Sequence, residues 1–451
     1  MLLTEANTLA QSGEHERAIA LYAKYLEEAP SHAAAWNNYG YVLDDLGRVS
    51  EALDCFDRAL SIDPTYSQAL CNKGVVLNNL RQWKQALACF DECVRLNPDF
   101  AIAYSNRGNS LRSLHLYEEA LASYCHATDL APDLVSAHWN ESTCRLHMGD
   151  YGIGWQKHEW RWQTDELKAQ TENTPRTTWK VGDPIQNKKI TIWPEGGFGD
   201  AFQFTRFALT LLDAGARVAV AAPPLLLKLY QQSFHNIEVI PMLDGMPMPD
   251  CDYHCSIMSL PLVCNLNSLE KIPTPIPYLF ANQDAQALWA DKLNTYIAPN
   301  KQRIGLAWAG NPMTGSDLER SLTLDSFASL GSIALDKNLQ FISLQKGVSA
   351  QQIQSLGADT ASSLKLLDMT SDLNDWADTA ALVANLDLVI CCDTGVAHLA
   401  AAMGKPTWIL SRYNGCWRWL ADRTDSPWYP SVRLFRQPTF GDWATVMQEV
   451  A

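Results

Sequence analysis

Residues 65–98 read TYSQALCNKGVVLNNLRQWKQALACFDECVRLNP, and their pattern returns before and after this stretch at an interval of 34 residues. The recurring positions carry glycine, alanine, an aromatic ring and a closing proline: Gly40, Gly74 and Gly108; Ala52, Ala86 and Ala120; Phe56, Phe90 and Tyr124; Pro64, Pro98 and Pro132. The small residues allow two helices to approach closely, the aromatics fill the groove between units, and proline stops the second helix. The pattern therefore predicts a stack of helix pairs.

This unit resembles the tetratricopeptide repeat in both its period and its residue types. An earlier copy is marked by Ala6, Ala18, Tyr22 and Pro30. Four repeats cover about residues 1–134, and a degraded fifth begins near Val135 and loses the pattern at 152–154. We therefore predict an α-helical tetratricopeptide solenoid over residues 1–150.

One polar position also recurs in every repeat, at Asn38, Asn72, Asn106 and Asn140. Asparagine is a mediocre helix former, so helix propensity does not explain it, whereas its amide offers donors and an acceptor to a peptide backbone. The series resembles the asparagine ladder of protein O-linked N-acetylglucosamine transferase, which grips acceptor polypeptide on the concave face. That resemblance implies peptide binding here; the alternative is that the amides bond within or between helices.

The whole chain has 451 residues, 47% of them hydrophobic and 19% charged, with a formal net charge of −15. At roughly 100–200 residues per domain this length predicts two to four domains, and the composition excludes collagen, low-complexity disorder and a disulfide miniprotein. Residues 1–150 hold 11 Lys and Arg against 20 Asp and Glu, a net −9, which leaves −6 for the rest. The acidic balance disfavours nucleic acid and membrane surfaces as partners, and it favours a basic or neutral peptide for the array.

The N-terminus begins Met-Leu-Leu-Thr-Glu, without a basic segment or a sustained apolar run, so no secretory signal is predicted. The chain has no run of about 18 apolar residues that would predict a membrane span. Its twelve cysteines form no Cys-x-x-Cys pair, which favours buried free thiols over a metal site. These features predict a cytoplasmic protein without a metal centre.

Tryptophans crowd into the stretch that follows the repeats, predicted as a helical linker over residues 151–188. Trp155, Glu159 and Trp162 lie at spacings of three and four residues, which is typical of one helix face. We expect this face, together with Trp160, to dock the array onto the second module. Stacking of these indoles on a sugar is the alternative.

From Ile190 onward, strand-like and helical segments alternate in two groups. The segments predicted as strands are 190–193, 217–221, 237–240 and 253–257, then 304–307, 341–344, 388–392, 407–410 and 432–435; a helix is predicted over 202–212. Such alternation indicates parallel sheets with crossover helices. We expect two Rossmann-like halves, residues 189–285 and 300–451, with a ligand cleft between their strand ends.

The sharpest candidate site is the run from Asp393 to Pro406, DTGVAHLAAAMGKP, which directly follows an apolar strand. Asp393 or Thr394 can cap the helix that begins here, and Gly395 lets a ligand approach the backbone. A helix N-terminus after a strand binds anions through its free N–H groups, and His398 lies one turn in. The alternative is an ordinary capped helix with a core histidine.

Two cations follow other strands of the same half and can converge on this mouth. Arg320 ends a loop that starts at Trp308, and Lys346 lies in Ser-Leu-Gln-Lys-Gly after the next strand. Two cations beside a helix N-terminus would suit a diphosphate. Either cation alone is more often a solvated surface charge.

Together these residues resemble the glycosyltransferase-B fold. Within that fold they resemble the heptosyltransferase-like proteins of glycosyltransferase family 9 and bacterial proteins that fuse tetratricopeptide repeats to such a module. The resemblance implies that Asp393, Thr394, Gly395 and His398 hold the donor's diphosphate and that Arg320 neutralises phosphate. Gln345 and Lys346 are similar to a donor-phosphate element of the O-linked N-acetylglucosamine transferase, although the spacing differs. The resemblance also implies no cofactor besides a nucleotide-diphosphate sugar as donor substrate.

The resemblance further assigns a base to the Gly199-Asp200 turn. Asp200 is the first candidate and Glu195 the second; the alternative for Asp200 is a plain helix N-cap. Asp250-Cys251-Asp252 forms an Asp-x-Asp tripeptide, which we interpret as incidental because this fold is normally metal-independent.

The combined expectation is an inverting glycosyltransferase that acts on a polypeptide captured by the repeats. One alternative is transfer to a glycan or lipid-linked sugar. A second alternative is a non-catalytic repeat scaffold with a decayed transferase module, because the first half is short and the loop 311–318 departs from its relatives' Asn-Pro-x-His pattern.

Overall fold

The computed structural model describes residues 1–164, 167–168, 178–243, 250–313, 317–357, 361 and 363–451. The chain divides into two compact units, which we call the helical unit (1–148 with 156–169) and the α/β unit (149–155 with 170–451). Within the described residues, every helix is too short or too polar to cross a bilayer.

The helical unit consists of consecutive helices that pack in pairs, as the repeat pattern predicts. Their bounds are α1 (Leu2–Gln11), α2 (His15–Glu28), α3 (Ala33–Asp45), α4 (Val49–Ile62), α5 (Ser67–Asn79), α6 (Trp83–Leu96), α7 (Ala101–Ser113), α8 (Tyr117–Leu130) and α9 (Val135–Met148). The prediction of a tetratricopeptide solenoid is confirmed.

The recurring glycines explain how the two helices of each repeat pack. A Cβ atom on Gly74 would lie 2.8 Å from the ring of Phe90, and one on Gly108 would lie 2.5 Å from the ring of Tyr124. Both rings are fully buried. Only a hydrogen atom fits between helix and ring at these positions, so the 34-residue period is a packing requirement.

The tryptophan-rich stretch forms α10 (Tyr151–His158) and a 3-10 helix (Glu159–Gln163). Trp155 is 1% exposed and packs edge-to-face on Phe204 and Trp417 inside the α/β unit, so this indole is closed to a sugar. Trp160 stacks on His138 inside the helical unit, with ring centroids 3.8 Å apart. The docking role stays a prediction, and residues 165–166 and 169–177 of the predicted linker lie outside the described residues.

The α/β unit contains two parallel sheets, as the alternation predicts. The strands are β1 (Lys189–Trp193), β2 (Arg217–Ala222), β3 (Glu238–Pro241), β4 (Tyr253–Ser256), β5 (Gln302–Ala307), β6 (Leu339–Ser343), β7 (Leu388–Cys392), β8 (Thr407–Ser411) and β9 (Val432–Arg436). Their orders are β3-β2-β1-β4 and β6-β5-β7-β8-β9. Parallel pairing within each sheet brings the strand carboxyl ends to one edge, where ligands of such sheets bind.

The helices of this unit connect the strands across both sheets. Their bounds are α11 (Phe198–Phe204), α12 (Phe207–Asp213), α13 (Pro224–Ser233), α14 (Leu260–Val263), α15 (Gln283–Tyr296), α16 (Asp317–Arg320), α17 (Ala328–Asp336), α18 (Trp376–Ala384), α19 (Gly395–Ala402) and α20 (Trp443–Val450).

One predicted helix was wrong in its bounds. The single helix expected over 202–212 is two helices, α11 and α12, interrupted after Phe204. The Arg206 Nε atom donates a hydrogen bond to the Gln203 carbonyl at 2.9 Å, an oxygen that a continuous helix would offer to the next turn. Arg206 is fully buried, and its guanidinium lies over the rings of Tyr278 and Tyr429.

Candidate functional site

A cleft of ≈ 930 Å³ opens where the strand carboxyl ends of both sheets face each other. The turn after β1 lines one side, and the loops after β5, β6, β7 and β8 line the other. The charged side chains in its lining are Asp200, Arg320, Lys346, Asp375, Asp393, Arg412 and Arg418. The cleft therefore contains the predicted residues Asp200, Arg320, Lys346 and Asp393. It also contains three charged residues that the sequence analysis did not select: Asp375, Arg412 and Arg418.

The N-terminus of α19 lies in this cleft and carries the Asp-Thr-Gly run. Thr394 is the N-cap residue, but its side chain makes no capping hydrogen bond, and its buried hydroxyl has no partner among the described residues. A Cβ atom on Gly395 would lie 3.1 Å from the ring of Trp376, so a larger residue would crowd the helix end. The first backbone N–H groups of α19 thus remain available to an anion.

His398 lies one turn inside α19 and is 3% exposed. Its Nδ1 atom is 3.1 Å from the Tyr429 hydroxyl, its Nε2 atom is 3.8 Å from an Asp393 carboxylate oxygen, and its ring stacks on Trp419. Burial, reinforced by the charge of Arg418, lowers the pKa of His398 to about 3. The imidazole is therefore neutral near pH 7 and acts as a hydrogen-bonding group rather than as a cation.

Both predicted cations reach the cleft and are held by backbone carbonyls. Arg320 Nη1 donates to the Asp393 carbonyl at 3.2 Å, and its Nε lies 3.2 Å from an Asp317 oxygen. Lys346 Nζ donates to the carbonyls of Thr370 at 3.0 Å and Leu373 at 2.6 Å. Both side chains line the cleft that also contains the N-terminus of α19.

Gln345 also lines the cleft, but its amide is engaged by backbone groups. Its Oε1 accepts from the N–H groups of Trp308 at 3.0 Å and Ala309 at 2.8 Å, and its Nε2 donates to the Lys346 carbonyl at 3.0 Å. The side chain is 4% exposed and joins the loops after β5 and β6. A direct phosphate contact by Gln345 stays a prediction; in the structure it holds the loops that carry Arg320 and Lys346.

The first base candidate, Asp200, lines the cleft and has both carboxylate oxygens occupied. One oxygen accepts from the Gly197 N–H at 2.9 Å, which makes Gly197 the N-cap of α11 and Asp200 the N3 residue of a capping box, rather than the plain N-cap of the alternative. The other oxygen pairs with Arg418. Gly196, at φ 75°, makes room for the cap, because a Cβ there would lie 2.5 Å from the carboxylate.

The second base candidate, Glu195, bonds to the end of β4. Its carboxylate accepts a hydrogen bond from the Ser256 hydroxyl at the end of β4, and it does not appear among the described residues that line the cleft. The geometry therefore favours Asp200 over Glu195, because a general base must reach the acceptor's hydroxyl.

Arg412 and Arg418 are functional candidates that the sequence reasoning missed. Arg412 directly follows β8, and its Nη1 donates to Glu319 at 3.0 Å. Arg418 lies seven residues beyond β8, and its guanidinium covers the ring of Trp417 at 4.3 Å. The strand-end rule that selected Arg320 could have found Arg412, whereas no local signal marks Arg418.

The Asp-x-Asp tripeptide lies away from this cleft, at the amino end of β4. Asp252 accepts from Lys188 Nζ at 3.0 Å and from the Lys189 backbone N–H at 2.7 Å, which lowers its pKa. Across the described ranges, His, Cys, Asp and Glu residues form no group of three that could hold a metal ion. The twelve cysteines, all within the described ranges, form no disulfide.

In the helical unit, the asparagine ladder bonds from one repeat to the next. Asn72 donates to the side-chain oxygen of Asn37 at 2.9 Å, Asn106 approaches the Cys71 sulfur at 3.9 Å, and Asn140 approaches the Ser105 hydroxyl at 3.4 Å. Asn38 makes the equivalent contact to Asn7 at 3.2 Å. The ladder amides are half-buried, so the structure realises the alternative role between helices, and peptide binding stays a prediction.

Family models match two parts of the chain. Tetratricopeptide repeat models match residues 3–67, 67–100 and 101–134. The glycosyltransferase family 9 (heptosyltransferase) model matches residues 365–413, which include β7, the Asp393–His398 run and β8.

The chain is also similar to individual proteins. It is 27% identical over 333 residues to Protein FlbA of Caulobacter vibrioides, across 69% of this chain and 53% of that protein. The chain thus spans about half the length of this curated relative.

Several solved structures are similar to part of the chain. MamA (residues 41 to the end) from Desulfovibrio magneticus RS-1 is 21% identical, covers 38% of this chain and 96% of its own, and has a TM-score of 0.33. A thermophilic TPR protein from Thermus thermophilus, TTC0263, is 20% identical, with coverages of 38% and 95% and a TM-score of 0.34. YrrB, described as a TPR protein with an unusual peptide-binding site, is 26% identical, with coverages of 38% and 90% and a TM-score of 0.31. On the family models, the N-terminal part of the chain carries tetratricopeptide repeats, and its α/β unit carries a segment that matches the glycosyltransferase family 9 model.

Proposed function

We propose that this chain is an inverting glycosyltransferase that moves a sugar from a nucleotide-diphosphate donor to a polypeptide acceptor. The observation that carries the proposal is the convergence, in one cleft, of the free N-terminus of α19 with Arg320 and Lys346. This cleft overlaps the segment that matches glycosyltransferase family 9. A helix end beside two cations is a chemical match for a diphosphate.

In the proposed reaction, the acceptor hydroxyl oxygen attacks the anomeric carbon from the face opposite the diphosphate. A new C–O bond forms as the bond between that carbon and the diphosphate oxygen breaks, and the electron pair leaves with the diphosphate. Asp200 takes the proton of the acceptor hydroxyl, and the N–H groups of α19 with Arg320 and Lys346 stabilise the leaving charge. The side-chain cations thereby do the work that a metal ion does in other transferases.

The acceptor is proposed to be a polypeptide bound along the helical unit. Residues 1–150 carry a net charge of −9, which favours a basic or neutral segment over an acidic one. Each ladder amide commits its nitrogen to a neighbouring repeat. The carbonyl oxygens of Asn38 and Asn72 also accept hydrogen bonds within the helical unit, from Asn37 at 3.1 Å and Gln68 at 3.0 Å, so a peptide N–H would have to share or displace these donors.

The first test supplies labelled nucleotide sugars, one at a time, to the purified full chain with an extract of proteins. Transfer should label protein, and Lys346→Ala should abolish the labelling. Lys337→Ala, which removes an exposed lysine in the loop before β6, is the matched control and should leave it unchanged. Equal labelling by Lys346→Ala and the unaltered chain would contradict the assignment of the cleft.

The acceptor class needs a separate test, because a glycan or lipid-linked sugar would use the same donor cleft. The double variant Asn72→Ala with Asn106→Ala should weaken protein labelling and spare transfer to a glycan. Its melting temperature must be measured alongside, since both side chains bond between repeats. Absence of binding to any nucleoside diphosphate would instead favour a scaffold without activity.

A further inference from the structure

Building on the proposed function, we propose that Asp200 and the donor's diphosphate compete for Arg418. In this arrangement Arg418 holds the base candidate Asp200 until the donor's diphosphate binds.

The first observation is that both carboxylate oxygens of Asp200 have partners. One oxygen caps α11 through the Gly197 N–H, and the other pairs with Arg418. The two side chains are 18% and 16% exposed, so the pair is shielded from water. Both oxygens therefore already have a hydrogen-bond partner, and an acceptor hydroxyl would have to displace one of them.

The second observation is that Arg418 has a donor atom without a partner among the described residues, whereas both oxygens of Asp200 have partners. Besides Asp200, its Nη1 contacts the Cys416 sulfur at 3.1 Å, and its buried Nε has no hydrogen-bond partner among the described residues. Burial opposes its charge, but Asp200, Cys416 and Asp393 together more than offset this, so the pKa of Arg418 is raised. A guanidinium with an unmet donor can accept a second anion in a fork geometry.

The third observation places Arg418 beside the diphosphate position. It lines the same cleft as α19 and Arg320, and its charge acts on His398, one turn inside α19. The Gly199 backbone next to Asp200 also abuts this ring, since a Cβ there would lie 2.9 Å from His398 Cδ2. The ion pair and the helix end are therefore neighbours across the cleft.

The competition follows from charge. A diphosphate carries more negative charge than one carboxylate and offers Arg bidentate contacts, so it can draw Arg418 away from Asp200. Asp200 then keeps its helix-capping contact but regains one free oxygen, which can accept a proton from the acceptor hydroxyl. Without the donor, the carboxylate stays paired.

Calorimetric titration of the full chain with inorganic pyrophosphate and with a set of nucleoside diphosphates tests this inference. Asp200→Asn removes the competing charge while keeping an oxygen that can cap α11, so binding should become at least about threefold tighter. Arg418→Gln should bind roughly tenfold more weakly. In the Arg418→Gln background, adding Asp200→Asn should change nothing.

The matched control is Asp375→Asn, because Asp375 also lines the cleft but pairs with Lys228 at 2.9 Å. It removes the same charge without releasing Arg418. Equal tightening by both Asn variants, or tightening that persists without Arg418, would overturn the competition while leaving the donor site intact. If neither pyrophosphate nor any nucleoside diphosphate binds the unaltered chain, the proposed function fails and this inference fails with it. Arg418→Lys serves as the second variant if Arg418→Gln melts early.

Discussion

In the helical unit, polar side chains at a repeated position bond to the next repeat, whereas in the α/β unit charged side chains at strand ends project into a cleft. The ladder amide of Asn72 points at Asn37, 35 residues earlier in the chain. Arg320 and Lys346 instead anchor on carbonyls and line open space. A recurring polar residue thus indicates packing, because every repeat needs it. A polar residue that occurs once, at a strand end, indicates a ligand site.

The largest expected effect concerns packing in the helical unit. Phe90→Ala empties the space that Gly74 leaves for the ring, and the loss of a buried aromatic costs about 3–5 kcal/mol of unfolding free energy. Urea unfolding followed by circular dichroism measures this. Leu80→Ala, at a position 42% exposed, is the control and should change the free energy little. A small effect of Phe90→Ala would show that the period is not a packing requirement.

The next effect concerns the cleft and should appear in binding. Arg320→Met removes a charge-assisted contact worth about 1.5–3 kcal/mol, so pyrophosphate affinity should fall roughly 10- to 150-fold. Isothermal titration of the full chain gives the constant, with Lys337→Met as the matched loss of a surface cation. Unaltered affinity would place the diphosphate elsewhere in the cleft.

A third effect appears in the pH dependence of stability. The pKa of His398 falls from 6.5 in the unfolded chain to about 3 in the folded protein, so the unfolded chain binds the proton first as the pH drops. The contribution is therefore present above pH 6.5 and is lost as the pH falls toward 3. Between pH 7 and pH 5 this amounts to about 2 kcal/mol at roughly 1.36 kcal/mol per pH unit below the unfolded pKa.

Comparison of His398→Gln with the unaltered chain isolates the contribution of His398 to the pH dependence of the unfolding free energy. Between pH 7 and pH 5, the unfolding free energy of the variant should fall by about 2 kcal/mol less than that of the unaltered chain. His235→Gln, at an exposed histidine, should follow the unaltered chain. Parallel curves for all three proteins would mean that His398 is not held neutral by burial.

The smallest effect lies within the ladder. Asn72→Ala removes an N–H···O bond of 2.9 Å and should cost about 1 kcal/mol, the usual net worth of such a bond. Asn106→Ala removes only a long contact to sulfur and should cost less. If chemical denaturation shows a larger loss of unfolding free energy for Asn106→Ala than for Asn72→Ala, contacts between repeats do not explain the ladder. That outcome would favour peptide binding by the ladder amides.

The fold was predictable because it depends on patterns that repeat. The glycine-ring pairs at 34-residue spacing and the apolar strands near 190, 304 and 388 each report a local packing demand. The interrupted helix was not predictable, because the break depends on where the buried Arg206 finds its partners. Those partners include the Trp428 carbonyl, 222 residues away.

The site was predictable where chemistry follows a strand directly, as at Asp393 and His398. Arg418 was missed because the irregular path after β8 decides where it lies. Gln345 was found, but the direction of its amide cannot be read from its position after β6. It is turned inward by two backbone N–H groups at Trp308 and Ala309.

Gly199, which has no side chain, determines how closely the two sheets of the α/β unit approach each other. With only a hydrogen on Gly199, the backbone of one half rests against the His398 ring of the other, and a methyl group would have to displace the ring or part the halves. The contact between Gly199 and His398 therefore limits how closely the two halves approach at the cleft. We therefore expect Gly199→Ala to change the width of the cleft without altering any charged side chain.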